Sequence, residues 1–102
     1  MTKMVRDRIP ELYPQHRYRK ATPLERGLYI RMKLVEEVGE VLSAPDTQSL
    51  KEELADVLAV IAALRNEYGW TAADLARMET GKAADRGRFN EGWILETDEP
   101  MG

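Results

Sequence analysis

The sequence predicts an all-α fold: two long antiparallel helices plus a third helix, completed by oligomerisation, with short extended N- and C-terminal segments. Three observations predict it. Apolar residues recur at helical spacing through two long runs, 24–42 and 50–68. Start and stop signals frame those runs: Thr22-Pro23-Leu24-Glu25 before the first, Ala44-Pro45-Asp46 between them, and Gly69 after the second. Apolar residues also cover about half the circumference of the first helix, more than a three-helix chain can hide by itself, so a homo-oligomer is expected.

Residues 1–20 read as irregular or short elements. Pro10 and Pro14 punctuate them and keep any helix around Asp7–Tyr13 short. Arg17–Lys20 reads as extended. The first long helix starts at a capping box with proline at its first position. It ends near Ser43, because a residue before proline avoids helical geometry. Leu24, Leu28, Val35, Val38 and Leu42 form its main stripe, which Ile30, Leu34 and Val41 widen. Gly39 lies inside this helix, where glycine costs about 1 kcal/mol against alanine. It is expected to admit close approach of a neighbouring helix or ligand.

Asp46 or Thr47 caps the second helix, which runs to about Tyr68. Its apolar arc comprises Leu50, Leu54, Val57, Val60, Ile61, Leu64 and Tyr68, with a smooth alanine face beside it. Thr71-Ala72-Ala73-Asp74 opens a third helix to about Asp85. Residues 87–92 are a turn-rich break, Trp93–Glu96 reads as a short strand, and 97–102 as a frayed tail.

With 102 residues the chain has the length of a single domain. Its 43% hydrophobic and 32% charged residues are a soluble globular composition. No stretch approaches the roughly 18 apolar residues of a membrane span, so no membrane association is expected. The opening MTKMVRDRIPE lacks the apolar run of a secretory signal. Absence of cysteine excludes disulfides, thiolate catalysis and cysteine–zinc sites, and fits a cytoplasmic location. His16 is the single histidine, so the Glu-x-x-His pairs of a di-iron bundle are missing.

The chemistry is concentrated in Lys33–Val60. Glu37 with Glu40, and Glu53 with Asp56, are pairs three residues apart, so each pair shares a helix face. Two antiparallel helices would bring four carboxylates together, and such a group requires a cation. Oxygen-only ligands suit magnesium, with manganese as a substitute. Glu53 falls inside the apolar arc of its helix and Asp56 at its edge, where an unpaired carboxylate is costly. Glu36 and Glu52 read as ordinary surface charges.

Charge is segregated along the chain. Residues 1–31 carry a balance of +5, residues 33–56 of −5 and residues 57–102 of −3. A basic arm beside an acidic metal cluster suits a phosphate ester with its metal. Overall acidity, with a net charge of −3, argues against a nucleic-acid polymer as partner. Arg6 and Arg8 are candidate phosphate ligands. Lys33 can pair with Glu37 or reach a phosphate. Lys82 and Arg86, four apart near the end of the third helix, can bind phosphate or complement the helix dipole.

Taken in order, Val5-Arg6-Asp7-Arg8-Ile9-Pro10, Lys33-Leu34-Val35-Glu36-Glu37-Val38-Gly39-Glu40, Glu53-Leu54-Ala55-Asp56-Val57-Leu58 and Lys82 to Phe89 resemble the MazG-like all-α nucleoside triphosphate pyrophosphatases. The resemblance spans about residues 3–95, and its weight rests on the ordered set, not on E-E-x-x-E alone. It is strongest to a small house-cleaning branch that opens with arginine-aspartate-lysine-isoleucine-proline and is related to phosphoribosyl-ATP pyrophosphohydrolase. Arg8 replaces the usual lysine, and only thirteen residues separate Glu40 from Glu53.

The resemblance implies a dimer or tetramer that cleaves a nucleotide between its α- and β-phosphates. It makes Glu37, Glu40, Glu53 and Asp56 magnesium ligands and Glu36 a water-orienting residue. Arg6, Lys33, Lys82 and Arg86 then fall to the phosphates. Two other functions share these residues: phosphoribosyl-ATP hydrolysis, and a helical interaction module without catalysis.

Overall fold

The structure, a computed structural model, describes residues 2–97 and is built from helices alone among them. The order is α1 (Ile9–Leu12), α2 (Pro23–Ser43), α3 (Thr47–Tyr68) and α4 (Ala72–Arg86). The chain divides into two compact units, Met1–Ala72 and Ala73–Gly102. No helix among the described residues is long and apolar enough to cross a membrane.

In the first unit α2 and α3 form an antiparallel hairpin over the link Ala44-Pro45-Asp46. Contacts at both ends fix the direction: Arg26 near the start of α2 pairs with Glu67 near the end of α3 at 2.9 Å, and Glu37 meets Glu53 and Asp56. The caps fall where sequence expects them. Thr22 is extended, accepts from the Glu25 backbone N–H at 3.4 Å, and donates its hydroxyl to the Glu25 carboxylate at 2.7 Å. Asp46 accepts from the Ser49 N–H at 2.7 Å. Gly69 closes α3 in the left-handed region, φ 73°, and lets the Trp70 N–H reach the Arg65 carbonyl.

Burial departs from expectation on α2. The buried side chains are Ile30 and Glu37, with Leu34 and Val41 partly covered, so the residues read as widening the stripe are the ones that face α3. Leu24 (97% exposed), Val35 (73%) and Leu42 (84%) of the supposed main stripe stand outside. Both sets of residues recur at helical spacing, and periodicity alone does not say which of them faces α3. On α3 only Val60 is buried. Among the described residues nothing lies within 4 Å of where the Gly39 Cβ would be. The close approach occurs at Gly27 instead, whose Cβ would sit 2.9 Å from the Tyr68 hydroxyl. Arg31 donates to that hydroxyl at 2.6 Å, and the Tyr68 and Trp70 rings stack at 5.0 Å.

The N-terminal segment is fastened to the hairpin by charge. Lys3 meets Glu36 at 2.8 Å and Arg6 meets Asp56 at 2.5 Å. In the second unit, α4 ends at Gly87 (φ 77°), and Arg88 folds back to grip Glu79 through two hydrogen bonds of 2.9 and 3.0 Å. Residues 93–96 form no strand: a lone run with no partner strand leaves its ladder bonds unmade. Phe89, Trp93 and Ile94 are exposed. The frayed tail expected at 97–102 lies, beyond Thr97, outside the described residues.

Candidate functional site

Three carboxylates converge where α2 faces α3. Glu37, Glu53 and Asp56 each offer an oxygen, and these oxygens lie within 4.8 Å of one another. The antiparallel hairpin causes this. Glu37 sits on the inner face of α2 beside Leu34 and Val41, and Glu53 and Asp56 share one face of α3 three residues apart. Glu37 is buried, at 8% exposure, and the other two are half-buried. Glu40 stands apart from the trio and is exposed. Three residues turn an α-helix about 60° short of a full circle, which carries Glu40 from the seam towards solvent.

The compensation is uneven. Lys33 lies 3.5 Å from Glu37 and 3.2 Å from Glu36, and Arg6 holds Asp56. Among the described residues no lysine or arginine pairs with Glu53. Burial, followed by the charges of Asp56, Glu40 and Glu37, pushes its carboxyl above the ordinary glutamate range. Glu36 is the opposite case: the Lys3 hydrogen bond, assisted by Lys33, holds it below that range. Lys3 is raised in turn, chiefly by its hydrogen bond to Glu36. Glu36 is therefore a fixed anion between two ammonium groups, not the free surface charge that its position suggests. Sequence reasoning offered no signal for Lys3.

The donor set fits a hard divalent cation. It is all oxygen, it gathers three negative charges from two helices, and one of them has no positive partner. Of the cations expected near phosphate, Arg6 and Lys33 stand at this cluster. Lys82 and Arg86 stand one turn apart and exposed on α4, in the second unit, where Arg86 lies 4.0 Å from Asp85.

A pocket of about 700 Å³ opens on the cluster, with Glu37 and Asp56 in one wall. Lys3, Arg6 and Lys33 also line it. Val5 and Ile9 complete the lining with the loop Tyr13–Tyr18, which sequence reasoning gave no role at the site because it has neither periodicity nor a motif.

The site is a helical hairpin with Glu37 on one helix facing Glu53 and Asp56 on the other, bordered by Arg6 and Lys33. The MazG nucleotide pyrophosphohydrolase domain matches residues 27–88, from the first turns of α2 to Arg88, and the chain belongs to that family. No curated protein and no solved structure matches the chain.

Proposed function

We propose that the protein hydrolyses a nucleoside triphosphate, standard or modified, to the monophosphate and pyrophosphate. A magnesium ion, or manganese in its place, would be held by Glu37, Glu53 and Asp56, with Glu40 as the fourth carboxylate. The observation that supports this best is the convergence of three carboxylates within 4.8 Å, one of them unpaired, beside Arg6 and Lys33. The cation supplies neutralisation of phosphate oxygens and a water acidified enough to attack phosphorus. Glu36, fixed by Lys3 and Lys33, orients that water. Arg6 and Lys33 hold phosphate oxygens through charge-assisted hydrogen bonds, and Lys82 and Arg86, in the second unit, are separate candidates for a phosphate.

The same reading makes the protein a homo-oligomer, dimer or tetramer, acting in the cytoplasm. The chain by itself leaves Leu24, Leu28, Val35 and Leu42 of α2 exposed, and among the described residues the buried apolar side chains are Ile30 and Val60. The deciding experiment is a panel of nucleoside triphosphates plus phosphoribosyl-ATP, incubated with magnesium and scored for pyrophosphate release. Release from a triphosphate supports the proposal. Release from phosphoribosyl-ATP alone moves the assignment to histidine synthesis. A panel without any release, with magnesium or manganese, refutes the activity.

A further inference from the structure

The pocket on the carboxylate cluster is larger than a cation and a phosphate chain require. Its volume is about 700 Å³, and it is an open groove, not an enclosed cavity. Its composition is divided. Lys3, Arg6, Lys33, Glu37 and Asp56 bring charge from the N-terminal arm and the hairpin. The loop wall brings two phenol rings, an imidazole and a guanidinium: Tyr13, His16, Arg17 and Tyr18.

The loop is held by its own bonds. The Tyr18 hydroxyl donates to the Tyr13 carbonyl at 2.8 Å, and the His16 N–H reaches the same oxygen at 3.4 Å. The Tyr13 N–H donates to the Ile9 carbonyl at 2.8 Å, which ties the loop to α1. Tyr18 is thereby engaged in support. The side chains of Tyr13, His16 and Arg17 make no hydrogen bond or ion pair among the described residues, and Tyr13 is 51% exposed. Arg17 also stands out among the pocket cations. Lys3, Arg6 and Lys33 are each paired with a carboxylate, whereas Arg17 has no such partner among the described residues.

We propose that the Tyr13–Tyr18 loop is the nucleoside-recognition wall of this pocket: Tyr13 stacks on the base, and Arg17 binds a phosphate oxygen. This rests on the nucleotide reading above and adds to it the residues that distinguish a nucleotide from a bare polyphosphate. Unstacked bases are recognised on aromatic faces and guanidinium planes. An unpaired arginine receives a phosphate without first giving up a protein partner. The bonds that shape the loop use the Tyr13 backbone and the Tyr18 hydroxyl, so side-chain changes at Tyr13 and Arg17 leave its form intact.

The test is calorimetric binding, in magnesium, of the α,β-methylene analogues of the four deoxynucleoside triphosphates and of inorganic triphosphate. Parent, Tyr13→Phe, Tyr13→Ala, Arg17→Lys and Arg17→Ala proteins are compared, with circular dichroism to verify the fold. Tyr13→Ala should weaken the best-bound analogue by about fivefold to a hundredfold, from the measured range of base–aromatic stacking. It should leave inorganic triphosphate unchanged, and Tyr13→Phe should bind like the parent. Arg17→Ala should weaken both ligands, with partial recovery in Arg17→Lys. If the parent binds the analogues and Tyr13→Ala and Arg17→Ala bind them equally well, the loop assignment is overturned while the nucleotide site stands. A parent that binds none of the analogues overturns both.

Discussion

Replacing Glu53 by glutamine separates a metal ligand from a structural carboxylate. Glu53 has no cationic partner, and Asp56, Glu40 and Glu37 all repel it. In chelator the variant should therefore melt no lower than the parent, because one of the crowded charges is gone and no ion pair is lost. With a divalent cation the order reverses. A ligand present at a hundred times its dissociation constant stabilises a folded protein by about 2.7 kcal/mol. For a domain of about 100 residues that raises Tm by roughly 10–20 °C. The trio loses one of its three oxygens in the variant. Losing even an outer partner of a metal site costs as much as about a hundredfold in affinity, which would leave the same cation at about its dissociation constant. The stabilisation then falls to about 0.4 kcal/mol, a shift of about 2–3 °C. Differential scanning fluorimetry with magnesium, manganese or chelator reads both halves, and pyrophosphate release should disappear in parallel. A parent indifferent to millimolar magnesium and manganese, together with a variant that melts lower in chelator, would refute the reasoning.

Assembly is tested at Val35, 73% exposed on the outer face of α2. The parent should sediment as a dimer or larger at micromolar concentration and Val35→Asp as a smaller species; a folded, monomeric parent would contradict the expectation. Lys82→Ala and Arg86→Ala should raise KM or lower kcat with Tm unchanged, and wild-type kinetics in both would remove α4 from the phosphate contacts. The Glu79 carboxyl, gripped by Arg88, should titrate below its ordinary 4.5. A depressed folded value means that this ion pair stabilises the fold above 4.5 and that its contribution is lost as pH falls through the lowered value. An NMR titration should find that midpoint, and Arg88→Gln should return it upwards; a parent midpoint at 4.5 or above would show that the grip does not persist in solution.

The elements of this fold are marked in sequence by local chemistry. Thr22-Pro23, Asp46 and Gly69 set helix ends through bonds within four residues, so they can be read without knowing any partner. Glu53 was legible for a related reason, since a carboxylate in an apolar arc stands out against its own helix. The outward position of Leu24, Val35 and Leu42 was not legible, because two apolar faces on one helix look alike until a neighbour occupies one. Glu40 is near enough for its charge to act on Glu53 but lies outside the trio, a distinction that spacing does not show. Its i,i+3 relation to Glu37 places both near one face, but the 60° between them decides which one meets α3. The pairing of Lys3 with Glu36 spans 33 residues and leaves no periodic trace.

The three-residue link between α2 and α3 has a kinetic consequence. The two helices that hold the carboxylate trio are neighbours in the chain, so docking them closes a short loop, and loop-closure entropy grows only with the logarithm of length. Docking brings Glu37, Glu53 and Asp56 together, and their mutual repulsion, relieved in part by Lys33 from within α2, opposes it. A cation bound by Glu37, Glu53 and Asp56 would offset that repulsion. A cation that enters at this stage speeds folding, whereas one that enters only the finished site slows unfolding alone.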